Sequence, residues 1–353
     1  MCKSRHADGP HHHDHHAHEH PEGGAGTHRL KQLGVDASDE RVCTGCGCCG
    51  KVKTAASEPQ RPDAKQAYSL NHAMIDGEQA RRAADYAEHF GEPGYDDPAR
   101  LSIDQQYAGY SDDDQAVWRE LYRRQADHLD AHASRVWLGG ARAIGLGPDA
   151  IPDLSAINAN LRRLTGWQSR AVPGYVAARP FFACLSRREF PTTVVIRPKD
   201  RLEYLPEPDI FHDVFGHVPL HADPAFADFL QEYGSAALVA DAEHTERLAR
   251  LFWFTVEFGL IREEGRLKVY GAGLISSPGE SRHCLASPDV DRRPFDLEEV
   301  CDTAFEIDHY QPVLFVLDSF AQLRDAMRSY AARVREEASG LSMRSERDLV
   351  ASH

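Results

Sequence analysis

A lone carboxylate stands inside a strongly apolar run. Leu248 to Ile261 reads L-A-R-L-F-W-F-T-V-E-F-G-L-I, and every near neighbour of Glu257 is apolar or small. A chain can bury such a run only if the carboxylate finds a partner, because an unpaired buried charge is prohibitively costly. On the residues alone two partners stay open: an arginine such as Arg250 or Arg197, or a metal ion.

A second stretch bears on that choice. Asp209 to Leu220 reads D-I-F-H-D-V-F-G-H-V-P-L and offers two imidazoles, His212 and His217, with Asp213 between them. Two histidines and one carboxylate are the donor set of a mononuclear non-haem Fe(II) centre, which fills one face of the ion and leaves the other positions open. The spacing is awkward. Residues five apart on a regular α-helix differ by about 140° in azimuth, so they do not share a face as an i,i+4 pair does. The segment must therefore be irregular or end between the two histidines. Gly216 and the Val218-Pro219 step supply a means, since the residue before proline disfavours helical dihedrals. In a chain with 20 histidines, two unrelated ones in a polar turn is the plain alternative.

Size and charge narrow the remaining classes. The 353 residues allow one large domain or two small ones. A net charge of −15 argues against nucleic acid or an anionic membrane as a main partner. No apolar run is long enough to span a bilayer, and the N-terminus lacks the apolar stretch of a secretory signal. Cys2, Cys43, Cys46, Cys48 and Cys49 lie early, while only Cys184, Cys284 and Cys301 lie later. That is no spread disulfide framework, and a cytoplasmic location is expected.

Residues 1–60 differ from the rest. H-H-H-D-H-H-A-H-E-H covers His11 to His20, and C-T-G-C-G-C-C covers Cys43 to Cys49. No hydrophobic periodicity appears, so a disordered extension is expected. Its imidazoles and thiols suit Zn, Ni or Cu ions. The Cys43-x-x-Cys46 spacing is of zinc type, but the second pair at a distance is missing. The bland alternative is a His-rich tail that binds metal only because any such tract does. Residues 61–103 read as a linker, with a short helix around Gly77 to Phe90.

The pattern from 104 to 335 predicts one mainly α (α+β) domain with few short strands. Ser111 and the three acids after it open a helix with an apolar stripe at Val117, Trp118, Leu121, Tyr122 and Leu129. Further helices are expected over Ala133–Ile144, Asp153–Leu164, Asp223–Gly234 and Ala242–Ile261. The β-branched Phe190–Arg197 and Pro312–Leu317 read as strands. Gly-rich Val269–Ser277 reads as a pocket loop or bend. A last helix is expected to end near Val334, leaving 336–353 as a flexible tail.

D-I-F-H-D-V-F-G-H-V-P-L, W-F-T-V-E-F-G-L and Y-G-A-G-L-I-S-S together resemble the signature segments of the tetrahydrobiopterin-dependent aromatic amino acid hydroxylases. The resemblance is nearest to the bacterial phenylalanine-hydroxylating members. It runs from about Asp104 to about Val334, with A-V-P-G, F-A-D-F, F-D-L and V-L-D-S-F in the expected order. It implies that His212, His217 and Glu257 bind Fe(II). It implies that Phe181 stacks on a tetrahydrobiopterin or related tetrahydropterin, that Gly174 and Val176 meet the pterin edge, and that Asp213 lies near it. Arg197 would grip the substrate carboxylate, a task suited to its fork of donors. Trp253 and Phe258 would wall the pocket, with Gly273 and Ser276 in the loop beside the substrate. Asp209 and Ser276 are candidates to orient His212. The implied reaction is ring hydroxylation of L-phenylalanine to L-tyrosine with O₂. Ile307 stands at a position that is apolar in the phenylalanine enzymes of the family. Tryptophan hydroxylation or meta-hydroxylation of phenylalanine is the alternative within the family, and metal buffering through the His/Cys-rich head is the alternative outside it. The animal members carry a regulatory domain before the catalytic one and a tetramerising helix after it. Neither pattern is visible here, so a monomer is expected.

Overall fold

The structure, a computed structural model, describes residues 102–174, 176, 178–202, 208–305 and 310–351, with side chains as far as residue 340. The His/Cys-rich head, the helix expected at 77–90 and Ile307 lie outside the described residues.

Helix α1, Asp112–His132, opens where the sequence predicts. Ser111 accepts from the Asp114 N–H, and the Asp114 carboxylate accepts from the Ser111 N–H, closing a capping box. Asp112, Asp113 and Asp114 meet the positive end of the helix dipole. Val117, Trp118, Leu121 and Leu129 are buried as one stripe, while Tyr122 is half-buried. Helices α2 (Arg135–Ile144) and α3 (Leu154–Leu164) follow, capped by Ser134 and Asp153. Strands β1 (Gln168–Val172) and β2 (Glu189–Thr193) pair in parallel, and helix α4 (Ala178–Ser186) joins them. Such a pair needs a crossover, and α4 is that crossover. The strand expected over Phe190–Arg197 stops at Thr193.

Two π-helical segments replace regular helix at the predicted donors. Phe211–His217 is a π-helix that passes into a 3-10 turn, Val218–Ala222. Helix α5 is Pro224–Ala237. Helix α6, Ala242–Phe252, ends in a second π segment, Trp253–Glu257. The single helix expected to run to Ile261 thus stops at Glu257, and Leu260–Glu263 is strand β3. It turns through Glu264 (φ 50°) and Gly265 (φ 76°) into antiparallel β4, Arg266–Val269. The expected loop contains a short helix, α7, Ala272–Ser276. It is followed by α8 (Pro278–Ala286), β5 (Asp291–Pro294) and α9 (Leu297–Asp302). The buried strand β6, Val313–Leu317, lies between β3 and β5, parallel to both. Helix α10 runs from Phe320 to Ala351, through most of the expected flexible tail.

The first π segment is embedded in aromatic rings. Trp118 meets Phe211 edge-on at 5.3 Å, Phe211 stacks on Phe215 at 4.5 Å, and Trp137 meets Phe215 at 5.2 Å. Pro219 has no N–H to return to the carbonyl four residues earlier, which is that of Phe215. The Trp137 indole N–H fills the gap, donating to the Phe215 and Gly216 carbonyls at 3.2 and 3.3 Å. Helix α2 comes this close because residue 140 is glycine. A Cβ there would lie 1.9 Å from the Pro219 carbonyl oxygen.

Candidate metal centre

An i→i+5 register makes residues five apart neighbours one turn along the π-helix. That resolves the awkward spacing of His212 and His217, whose Nε2 atoms lie 3.2 Å apart. The second π segment brings Glu257 to them. Its Oε1 is 3.3 Å from His217 Nε2, and its Oε2 is 3.7 Å from His212 Nε2. Neither arginine that could have neutralised Glu257 does so. Arg250 donates to the Cys301 carbonyl and Glu246, and Arg197 pairs with Asp209. Donors at about 2.1 Å and right angles around one ion sit about 3 Å apart, so these separations fit a facial set of three. Among the described residues this is the one cluster of three or more His, Cys, Asp or Glu groups able to hold an ion.

Hydrogen bonding fixes the tautomer of His212. Ser276 donates its only proton to the Ala272 carbonyl at 2.8 Å. It must therefore accept at 2.9 Å from His212 Nδ1, which carries the ring proton. The Nε2 lone pair is left facing the cluster. Burial holds the His212 imidazolium pKa down at about 4, outweighing the nearby Glu257 carboxylate. His212 is therefore neutral at pH 7, as a metal ligand must be. Burial pushes the Glu257 pKa up, but His217 first and then His212 pull it below the usual range, so the carboxylate is ionised. Gly216 lets α7 bring Ser276 in, since a Cβ there would stand 3.0 Å from Ala272 Cβ. Ser276→Ala is expected to weaken iron binding about 10–100-fold in chelator competition. Unchanged affinity would show that the tautomer is set elsewhere.

Asp209 acts differently from the expectation. It accepts from the backbone N–H of His212 at 3.0 Å, while Ser276 holds the ring. Its carboxylate also receives Arg197 in a fork, Nε at 2.8 Å and Nη2 at 2.9 Å. The remaining Nη1 lies 3.4 Å from the Leu202 carbonyl. Asp213 is buried, and burial raises its carboxyl to about 7, even though its Oδ2 accepts from the Thr193 N–H at 2.7 Å.

Phe181 lies one ring away from the donors. It meets Phe190 at 6.0 Å, and Phe190 packs on His217 at 4.7 Å. Gly174 is half-buried, and Val176 packs against Val172 and Cys184. Trp253 and Phe258 are packed together at 4.6 Å, and Gly273 leaves room for the Phe258 ring. The sequence reading missed Thr193, Phe190, Phe305 and Gln311, single residues within longer apolar or polar runs.

It also missed His221, which is fully buried and stacked on Trp167 at 4.7 Å. Neither ring nitrogen has a hydrogen-bond partner among the described residues, and burial drives its pKa well below the ordinary value. Orphaned buried polar atoms cost about 1–3 kcal/mol each. His221→Phe is therefore expected to raise the unfolding free energy by about 1 kcal/mol or more in urea titration, and a loss would contradict the orphaned state.

Residues 102–340 match the family described as biopterin-dependent aromatic amino acid hydroxylase. The chain is 45% identical over 233 residues to a phenylalanine-4-hydroxylase of Mesorhizobium japonicum, covering 65% of this chain and 84% of that one. Two crystal structures of Chromobacterium violaceum phenylalanine hydroxylase are similar. One has bound iron(III) and oxidised 7,8-dihydrobiopterin, with a TM-score of 0.64 at 42% identity over 67% of this chain and 86% of that one. The other has bound iron and phenylalanine, with a TM-score of 0.61 at 42% identity over 65% and 84%.

Proposed function

Because the chain belongs to the biopterin-dependent aromatic amino acid hydroxylases, we propose that it hydroxylates L-phenylalanine to L-tyrosine at a ferrous ion held by His212, His217 and Glu257. The observation that carries this reading is the convergence of three donors from two π-helical segments, with Glu257 facing both imidazoles and no arginine. The donor set carries one negative charge, so a divalent ion keeps a net positive charge and open positions. Fe(II) and the tetrahydropterin, when bound, supply the activation of O₂, with one oxygen atom going to the substrate ring and one to the pterin.

The chain's own residues bind, orient and exclude water. Ser276 keeps the His212 lone pair aimed at the ion. Asp209 fixes the backbone of His212 and the plane of Arg197, whose Nη1 is the donor we assign to the substrate carboxylate. Phe181 offers a ring for the pterin, Gly174 and Val176 its edge, and Asp213 a polar group beside it. Trp253 and Phe258 form apolar walls, with Gly273 and Ser276 of α7 beside the substrate. The burial of His217 and Glu257 keeps bulk water from the donors. An iron-reconstituted assay of the three aromatic amino acids with tetrahydropterin tests the reading. Tyrosine from phenylalanine is expected; hydroxytryptophan or meta-tyrosine as the main product would overturn the substrate assignment.

The proposed catalytic unit is 104–335, in a cytoplasmic monomer. The free thiols of Cys184, Cys284 and Cys301 support a reducing location, and light scattering tests the monomer. Residues 1–60 are assigned a separate role in binding Zn, Ni or Cu ions, on the chemistry of His11–His20 and Cys43–Cys49. Deleting 1–60 is expected to remove bulk zinc binding and leave turnover intact. Loss of turnover would join the head to the catalytic unit.

A further inference from the structure

Trp253 is held by more than packing. Its ring stacks on Phe305 at 4.5 Å with an interplanar angle of 17° and leans on Phe258 at 4.6 Å. Stacking alone lets an indole slide or turn over in its plane. Its N–H prevents that here by donating to Gln311 Oε1 at 2.9 Å. An indole nitrogen can only donate, so the Gln311 amide must present its oxygen. Gln311 is 3% exposed and is itself anchored. Its backbone N–H donates to Glu280 Oε1 at 3.1 Å, and Glu280 stands in the first turn of α8. The anchor thus comes from outside the π segment that carries both Trp253 and Glu257. Trp253 opens and Glu257 closes that five-residue segment, so the indole and the carboxylate are carried on the same short stretch of backbone.

We propose that Gln311 is a positioning residue: through its hydrogen bond it fixes the Trp253 indole as a wall of the aromatic pocket, and so sets which aromatic side chains are accepted. The inference rests on the hydroxylase reading and on Trp253 as a wall of its pocket.

The test is a double-mutant cycle on the iron-loaded full-length protein. Gln311→Met keeps the length and loses the acceptor, Gln311→Glu keeps an acceptor, and Trp253→Phe removes the donor. Wild-type turnover is measured first, and its absence would count against the hydroxylase reading alone. Gln311→Met is expected to lower kcat/KM for phenylalanine about tenfold and to narrow the preference for phenylalanine over tryptophan. Gln311→Glu should stay within about threefold of wild type, and in the Trp253→Phe background Gln311→Met should cost less than about twofold. Near-UV circular dichroism needs no turnover. Gln311→Met should weaken the tryptophan bands in the wild-type background and leave them unchanged in Trp253→Phe. An equal loss of kcat/KM in both backgrounds, or an unaltered preference in Gln311→Met, would overturn the proposal. If Gln311→Met does not fold, Gln311→Glu decides: a folded variant that loses the substrate preference overturns it, and one that keeps it supports it.

Discussion

Glu257→Ala is expected to lose stoichiometric iron and to lower tyrosine formation by more than about 100-fold, because even groups one bond removed from a metal are worth about 10–100-fold in affinity or activity. The variant keeps two imidazoles but no anionic donor, so the facial set of three is left one ligand short. Stability rests on the same carboxylate. In the ion-free protein Glu257 is only 7% exposed and faces both imidazoles, which hold its pKa below the usual range in spite of burial. A carboxyl whose folded-state pKa is depressed contributes stability above its unfolded value. In chelator at pH 7, then, Glu257→Ala should melt below wild type. Added iron should stabilise the wild type alone, by about 2.7 kcal/mol once free iron reaches 100 times its dissociation constant. A variant that still loads iron and makes tyrosine would refute the assignment of this carboxylate.

The second large effect separates two adjacent glycines. Gly139 and Gly140 both lie inside α2, where alanine is favoured over glycine by about 1 kcal/mol. A Cβ at 139 would meet nothing within 4 Å, so Gly139→Ala should stabilise by up to about 1 kcal/mol. A Cβ at 140 would stand 1.9 Å from the Pro219 oxygen, where a backbone group cannot yield without moving the turn after His217. Overpacking costs about 1–3 kcal/mol and at times more, and at this distance it outweighs propensity. Gly140→Ala should therefore destabilise by about 2–3 kcal/mol in urea unfolding and weaken iron binding as well. Equal effects from the two substitutions would show that the close approach of α2 is not a real constraint.

Much of this was legible in the sequence. The start of α1 could be read from Ser111 and its acids, and strand β6 from V-L-F-V-L. The donors were legible only as an open choice, because a carboxylate in an apolar run demands a partner, and it was the resemblance to the hydroxylases that implied His212 and His217. The π register could not be read. It depends on Pro219 removing an N–H, on Trp137 satisfying the freed carbonyls and on Gly140 admitting α2, and these residues are far apart in the chain. Strands β3 and β4 were missed because I-R-E-E-G-R-L-K-V follows the apolar run directly and turns at Glu-Gly, a weaker hairpin signal than Asn-Gly. The Gly-rich stretch at α7 predicts a loop because glycine lowers helix propensity, while packing against the first π segment holds it helical. Ser276 lies against the His212 ring, but no sequence pattern could show that Asp209 holds a backbone rather than a ring.

That aspartate has a mechanical consequence. One carboxylate grips both the guanidinium assigned to the amino acid and the main chain of a metal ligand. On that assignment the two binding events share a joint, and a shift of Arg197 towards an incoming carboxylate would be passed to His212. Thermodynamic reciprocity then requires that whatever phenylalanine does to the hold on iron, iron does equally to the hold on phenylalanine.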